Sequence, residues 1–255
     1  GDVALVPTMG ALHEGHRALL RAARLGSETV VMSLFVNPTQ FLPGEDFERY
    51  PRDEQADLRV AQDEAVDIAF VPAVEAIYPP GFATVVDPGP LGDELEGRAR
   101  PGHFRGVATV VTRLLGLVRA DRALFGEKDY QQLAVIRSVA RDLALAVEIV
   151  GVPTVRTADG LALSSRNRYL TAEQHEQALG LHAGLRAAAG AHASGERDPA
   201  RLVAVAREPM PVEPEYLELR RDNLSAYDPA VRAVLLVAAR FGSTRLIDNI
   251  VLEAT

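Results

Sequence analysis

Two histidines stand three residues apart in a glycine-flanked segment, PTMGALHEGH, that follows an apolar run. The glycines permit a tight turn and the close approach of a ligand to the backbone. A helix beginning near Glu14 would favour an anion at its N-terminus, and His13 and His16 would share a face and donate to phosphate oxygens. The alternative is that both histidines only cap a surface helix. The hypothesis of a zinc site has less support, because Arg17 stands where the H-E-x-x-H motif requires a histidine.

A lysine and two glutamines are candidates for binding other parts of a small anionic substrate. Lys128 lies in the stretch FGEKDYQQ, where a predicted strand gives way to a predicted helix, and it can neutralise a phosphate there. Gln132 is four residues further on, on the same helix face. The amide of Gln40, in the stretch FVNPTQF, can bind a carboxylate or hydroxyl. Taken alone, Lys128 is better explained as a surface lysine paired with Glu127 or Asp129, and Gln40 as part of an ordinary loop.

Three polar stretches have less specific compositions. Ser164, Ser165 and Arg166 supply hydroxyl and guanidinium donors that suit phosphate oxygens, although an ordinary polar linker has the same composition. The stretch RARPGHFR at residues 98–105 is basic, and we expect a solvated loop there rather than a site. Residues 42–52 are polar and contain proline and glycine, which suits a mobile lid and a surface loop equally.

The elements that must position these residues follow an α/β pattern. Apolar runs without strict alternation, typical of strands buried on both faces, alternate with amphipathic stretches through the first 150 residues. Such repeated units predict a Rossmann-like, doubly wound parallel sheet, whose ligands bind at the carboxyl ends of the strands. Strands are predicted at residues 3–6, 29–36, 68–71, 123–125 and 147–150, and helices at 14–24, 53–65, 106–118 and 130–143.

A second, smaller α+β domain is predicted after residue 155. Thr171 and Gln174 form a capping box at the start of an Ala- and Leu-rich helix that reaches about residue 193. After a turn at residues 194–199, a further helix ends at residues 209–211. Strands of a small separate sheet are predicted at residues 216–219, 231–239 and 246–252.

The composition limits the classes of function. The absence of cysteine excludes a disulfide framework, a Cys-ligated zinc site and a thiol nucleophile. A net charge of −8 disfavours nucleic acid and anionic membranes as partners. No apolar run approaches the roughly 20 residues that span a bilayer, and the first residues lack the basic and apolar regions of a signal peptide, so we expect a cytoplasmic protein. Cationic loops on an acidic body suit a small polyphosphate, although neither G-x-G-x-x-G nor a P-loop is present.

Five motifs, in the same order, resemble those of the pantothenate synthetase (pantoate–β-alanine ligase) family: PTMGALHEGH, FVNPTQF, RPGHFRGV, FGEKDYQQ and SSRNRYL. HEGH is similar to the HIGH signature of the nucleotidyltransferase superfamily, and the Ser164–Arg166 stretch to its mobile phosphate-binding partner motif. The resemblance implies ATP-dependent condensation of pantoate with β-alanine through a pantoyl adenylate. It also implies a nucleotide- and pantoate-binding domain at residues 1–155, a domain at residues 156–255 that closes over the site, and a homodimer. Mg²⁺ would travel with ATP and have few protein ligands, with no protein metal site.

The resemblance further implies the roles of individual residues. Catalysis falls to His13, His16, Lys128, Ser164, Ser165 and Arg166. The residues implied to bind ATP are Pro7, Thr8, Met9, His13, Gly15, His16, Gly126, Lys128, Asp129, Val155, Ser164, Ser165 and Arg166. Those implied to bind pantoate are Met9, Gln40 and Gln132, with Gln40 also binding β-alanine. Asp129 is implied to orient β-alanine or an ordered water, and Gly126 to let the nucleotide approach the backbone.

Two other functions remain open at this point. A simple nucleotidyltransferase that moves AMP onto a phosphate acceptor would share HEGH and the Ser-Ser-Arg stretch, but it would need neither Gln40 nor Gln132 nor an amine substrate. A non-catalytic nucleotide-binding regulator would keep the pocket and bind ATP without pantoate-dependent turnover.

Overall fold

The computed structural model describes residues 1–45 and 47–254, which form two compact units. The first unit comprises residues 1–127 and 131–153, and the second comprises residues 128–130 together with the chain from residue 154. The short turn at 128–130 therefore groups with the second unit, although it interrupts the first in sequence. Separate functional roles for residues 1–155 and 156–255 stay a prediction.

A five-stranded parallel sheet forms the centre of the first unit, as the sequence predicts. Its strands are β1 (Val3–Thr8), β2 (Thr29–Leu34), β3 (Ile68–Phe70), β4 (Arg122–Gly126) and β5 (Glu148–Val152). Their order is β3-β2-β1-β4-β5, and every pairing is parallel. Because the chain winds outward from β1 in one direction and from β4 in the other, the topological switch point lies between these two strands.

Helices cover both faces of this sheet, which explains why its strands lack strict alternation. The helices are α1 (Glu14–Gly26), α2 (Glu54–Asp63), the short α3 (Val74–Ile77) and α4 (Glu96–Ala99), α5 (His103–Val118) and α6 (Tyr130–Asp142). Along β1, Ala4 and Val6 pack with buried residues of α1 and α2, whereas Leu5 packs with those of α5 and α6. Alternate residues therefore belong to two hydrophobic cores.

The second unit is an α+β structure with its own core, as predicted. It contains α7 (Ala172–Ala193), α8 (Pro199–Arg207), β6 (Tyr216–Arg221), β7 (Ala233–Phe241) and β8 (Thr244–Leu252). The strands form an antiparallel sheet in the order β6-β7-β8, and the capping box of Thr171 and Gln174 is present. Leu181 of α7, Leu202 of α8 and Leu235 of β7 are fully buried in one cluster.

The structure corrects the prediction of a solvated loop at residues 98–105. Residues 96–99 form α4, and α5 begins at His103, three residues earlier than the apolar spacing predicts. His103 and Phe104 are both buried, and Phe104 joins the core beneath the sheet. The basic residues of this stretch gave no indication that His103 and Phe104 are buried. Within the described residues, no helix combines the length and apolarity that a membrane crossing requires.

Candidate active site

The two histidines of HEGH close the first turn of α1, each through its Nδ1 atom. Nδ1 of His13 accepts from the backbone N–H of Gly15 at 3.1 Å, and Nδ1 of His16 accepts from the N–H of His13 at 3.2 Å. The ring centroids are 4.2 Å apart. Because Nδ1 accepts in both rings, a neutral imidazole carries its proton on Nε2. Capping and phosphate binding are therefore compatible, since they use opposite nitrogens of each ring.

A buried carboxylate fixes the turn that leads into these histidines. Asp57 of α2 is 4% exposed, and its two oxygens accept from the backbone N–H groups of Ala11 at 3.0 Å and Leu12 at 2.8 Å. Gly10 has φ +87°, and a Cβ there would lie 2.7 Å from a carboxylate oxygen of Asp57. Sequence reasoning missed Asp57, whose one signal is an acidic residue four positions before the buried Ala61 on the same helix.

Asn37 organises the turn after β2 and orients the amide of Gln40. Its Nδ2 donates to Oε1 of Gln40 at 3.0 Å and to the carbonyl of Gly106 at 3.2 Å, while its Oδ1 accepts from the hydroxyl of Tyr78 at 2.8 Å. Nε2 of Gln40 then donates to Sδ of Met9 at 3.0 Å. The structure thus brings together Met9 and Gln40, two of the three residues predicted for pantoate.

Arg100 and His103 bind the backbone carbonyl of Gln40, whereas Asn37 and Met9 contact its side-chain amide. Nδ1 of His103 lies 2.8 Å and Nη2 of Arg100 lies 3.1 Å from the Gln40 carbonyl oxygen, while Arg100 also forms an ion pair with Glu45 at 2.7 Å. Nη1 of Arg100 lies 3.1 Å from Nε2 of His103. Since a guanidinium only donates, Nε2 accepts and Nδ1 carries the proton. Burial, and then the charge of Arg100, lower the pKa of His103 to about 4, so the ring is neutral near pH 7.

The stretch at residues 42–52, predicted as either a lid or a surface loop, contains Asp46, which lies outside the described residues. In the described part, Tyr50 is buried and Phe41 packs edge-on against it at 5.8 Å between ring centroids. Phe47 packs against Phe41 in the same way at 5.3 Å. Glu45 connects the stretch to Arg100, and both alternatives stay open.

The only lysine of the sequence lies in the turn that follows β4. Lys128 is 18% exposed at its side chain, and its Nζ lies 3.8 Å from Oδ1 of Asp129. Asp129 is one of the two partners that the surface-pair alternative names, and the lysine side chain is half-buried. Gln132, in the first turn of α6, is half-buried. Its neighbour Gln131 is buried and donates to the carbonyls of Leu91 and Glu94, which is a structural role.

The Ser-Ser-Arg stretch directly follows a hairpin at residues 155–163. The N–H of Leu163 donates to the carbonyl of Val155 at 2.9 Å. Ser164 then caps a 3-10 turn at Ser165–Tyr169, and its hydroxyl accepts from the N–H of Arg166 at 3.3 Å. These bonds fix the start of the stretch within the second unit.

The predicted site residues divide between the two units. The first unit contains Pro7, Thr8, Met9, His13, Gly15, His16, Gln40, Gly126 and Gln132, and the second contains Lys128, Asp129, Val155, Ser164, Ser165 and Arg166. The hydroxyl of Thr8 donates to the carbonyl of Ser33 at 2.8 Å, which ties β1 to β2. In the part of the chain that the structure describes, no three His, Asp or Glu side chains group as metal ligands.

The doubly wound parallel sheet, with its switch point between β1 and β4, places the chain in the α/β class, whose members commonly bind ligands at that point. A family model described as pantoate-β-alanine ligase matches residues 1–251. The chain belongs to the pantoate-β-alanine ligase family, and it is therefore an enzyme of the ligase type.

Individual relatives agree with this assignment. The chain is 56% identical over 252 residues to a pantothenate synthetase of Saccharopolyspora erythraea, a match that covers 97% of this chain and 82% of the relative. The crystal structure of pantothenate synthetase from Thermus thermophilus matches with a TM-score of 0.92 and 49% identity, covering 98% of this chain and 93% of that one. A pantoate-β-alanine ligase from Francisella tularensis, complexed with β-γ ATP and β-alanine, matches with a TM-score of 0.79 and 34% identity, covering 100% and 91%.

Proposed function

We propose that this enzyme condenses pantoate with β-alanine, using ATP, through a pantoyl adenylate. A pantoate carboxylate oxygen attacks the α-phosphorus of ATP, and the bond from that phosphorus to the bridging oxygen breaks to release pyrophosphate. The amine of β-alanine then attacks the acyl carbon, loses a proton and displaces AMP. The observation that carries the proposal is the HEGH pair and the only lysine at the ends of the adjacent strands β1 and β4, in a member of this family.

The first transfer needs charge stabilisation and positioning rather than a protein nucleophile, because the substrate carboxylate attacks. The Nε2–H groups of His13 and His16 and the ammonium of Lys128 serve as phosphate donors. The hydroxyls of Ser164 and Ser165 and the guanidinium of Arg166 serve the same phosphates. Support comes from the hydrogen bonds that fix both imidazole tautomers and from the partial burial of Lys128.

Pantoate is assigned to Met9, Gln40 and Gln132. Oε1 of Gln40 accepts a hydrogen bond from Nδ2 of Asn37. This bond orients the amide, so that its Nε2 donor faces Met9. An amide donor held in this way suits a hydroxyl or a carboxylate. Gln40 also serves β-alanine, and Asp129 orients that amine or an ordered water. The other residues implied for ATP keep that assignment, with Gly126 allowing the nucleotide near the backbone.

The proposal extends to the setting of the reaction. Mg²⁺ would accompany ATP with few protein ligands and would help to neutralise the charge of its phosphates, as this ion commonly does with nucleotides. The enzyme acts in the cytoplasm as a homodimer, in keeping with the family that its motifs resemble. Light scattering at several protein concentrations tests the dimer, and a mass of one chain at all of them would contradict it.

A substrate-omission assay tests the reaction itself. The enzyme is mixed with ATP, Mg²⁺ and pantoate, with and without β-alanine, while pyrophosphate, AMP and pantothenate are measured. Sustained formation of all three products is expected only in the complete mixture. A simple nucleotidyltransferase would show no dependence on the amine, and a non-catalytic binder would release no pyrophosphate. Either result would overturn the proposal.

A further inference from the structure

Two successive buried polar residues lie within the strand β8 of the small sheet. Asp248 is 4% exposed and Asn249 is 6% exposed, in a strand whose neighbouring Leu246 and Leu252 belong to the hydrophobic core. Burying a carboxylate and an amide is costly unless both are hydrogen-bonded, so their partners identify what they do. Because successive side chains of a strand point to opposite faces of the sheet, the two residues act on different segments.

Asn249 holds the turn that carries the lysine. Its Nδ2 donates to the backbone carbonyl of Lys128 at 3.0 Å, across 121 positions of sequence. The bond fixes the backbone at the residue whose ammonium is assigned to the ATP phosphates. It also gives a physical reason why residues 128–130 group with the second unit.

Asp248 holds the hairpin that delivers the Ser-Ser-Arg stretch. Its two oxygens accept from Nη1 and Nη2 of Arg156 at 2.6 and 2.8 Å, a bidentate pair in which the arginine side chain is 19% exposed. Arg156 pairs through its backbone with Ala162, two residues before Ser164. Oδ1 of Asp248 also accepts from the N–H of Asn249 at 2.8 Å, so the two residues are linked by a hydrogen bond as well.

We propose that Asp248 and Asn249 are positioning residues for adenylate formation. From opposite faces of β8, they hold the Lys128 turn and the Ser164–Arg166 stretch at a fixed distance from each other. The inference rests on the proposed function of these two segments. Two cationic segments that act on one polyphosphate must keep a fixed spacing, since small displacements of catalytic groups cost large factors in rate. A single strand that contacts both segments provides that spacing.

The test is a double-mutant cycle between Asn249 and Lys128, read by pantoate-dependent exchange of labelled pyrophosphate into ATP. Asn249→Val removes the amide donor and retains a residue that suits a strand. We expect it to lower the kcat of exchange about tenfold or more with little change in the KM for pantoate. In a Lys128→Ala background the same substitution should lower kcat by less than about twofold, because the group it positions is gone.

A matched control separates positioning from loss of stability. Leu252→Val truncates a buried core residue of the same strand and touches neither segment. It should lower the Tm while leaving the kcat of exchange unchanged well below that temperature. If Asn249→Val does not fold, Asn249→Ala replaces it in the cycle. Asp248→Asn, which keeps the side-chain shape, should show the same loss of additivity with Arg166→Ala.

The outcomes distinguish this inference from the function on which it rests. If the wild-type enzyme shows no pantoate-dependent exchange, the proposed function fails and the inference fails with it. If the wild type exchanges but the effects of Asn249→Val and Lys128→Ala multiply, Asn249 is merely structural and only the inference is overturned. A kcat unchanged in Asn249→Val would overturn it as well.

Discussion

At the scale of single residues, side chains that are assigned to the candidate site also stabilise the local fold. The Nδ1 atoms of His13 and His16 complete the first turn of α1, and this sets the tautomer that the proposed role of each ring as a phosphate donor requires. Every one of the 27 basic residues except Lys128 is an arginine. A lysine supplies a compact point charge that a planar guanidinium does not reproduce. The position of the single lysine of the sequence, in the turn after β4, fits a specific chemical role.

Lys128→Ala is expected to lower the rate of adenylate formation by about 10²–10³, because a preorganised charge donor is lost at the reacting phosphates. The measurement is the rate of pantoate-dependent exchange of labelled pyrophosphate into ATP, with ATP and pantoate saturating. Arg141→Ala serves as the control, since it removes an exposed cation whose ion pair with Asp142 lies at the end of α6. Near-normal turnover in Lys128→Ala would show that the lysine is an ordinary partner of Asp129.

His103 should make the stability of the protein depend on pH in a defined window. Burial, followed by the charge of Arg100, lowers its folded-state pKa to about 4. An unfolded histidine has a pKa of about 6.5, so the unfolded chain binds the extra proton more readily between these values. The free energy of unfolding should therefore fall as the pH decreases from about 6.5 to about 4.

His103→Asn removes the titrating group and keeps an N–H donor for the Gln40 carbonyl. We expect the variant to lose part of this pH dependence in urea unfolding measured between pH 4 and pH 7. Asp159 contributes little in this window, because the hydrogen bond from His175 lowers its pKa to about 2 and its effect on stability therefore lies mainly below pH 4. An identical slope in wild type and variant would mean that His103 is not held neutral in the folded protein.

At the scale of elements, a close approach of α5 to the turn after β2 sets the position of Gln40. Gly106 of α5 lies against that turn, and a Cβ on Gly106 would be 2.4 Å from the carbonyl oxygen of Thr39 and 2.9 Å from Cα of Gln40. Real Cβ atoms do not reach such distances from backbone, so the turn must move if a side chain is added. Gly116 of the same helix has nothing within 4 Å of the corresponding position.

The two glycines make a matched pair of substitutions. Gly106→Ala should raise the KM for pantoate and lower the Tm, because it displaces the backbone of Gln40. Gly116→Ala should leave the KM unchanged and raise stability by about 0.5–1 kcal/mol, the usual gain on replacing a helical glycine. Steady-state kinetics and thermal unfolding of both variants decide. A pantoate KM unaffected by Gly106→Ala would contradict the role of this contact.

The sequence predicts the elements better than it predicts the contacts between them. The period of apolar residues and the Thr171–Gln174 box are local signals, and the structure confirms the corresponding strands, helices and cap. The supports of the candidate site are long-range. Asp57 reaches residues 45 and 46 positions away, and Asn249 reaches one 121 positions away. No local pattern encodes such pairs, and the basic composition around His103 concealed its burial.

At the scale of the whole molecule, the first unit has a hydrophobic core on each face of its sheet, and the second unit has a core of its own. The chain carries a net charge of −8, yet the side chains assigned to ATP include Lys128 and Arg166. Local cations on an acidic body favour a compact polyanion over an extended one such as nucleic acid.

The central claim is that adenylation of pantoate precedes and does not require the amine, and pyrophosphate exchange measures this most directly. With ATP, Mg²⁺ and pantoate but no β-alanine, labelled pyrophosphate should enter ATP, because the amine takes no part in the transfer assigned to His13, His16, Lys128 and Arg166. AMP should then appear rapidly once β-alanine is added, as a pocket that excludes water protects the acyl adenylate until then. Exchange that strictly requires β-alanine would contradict this order and indicate a concerted reaction or a different intermediate.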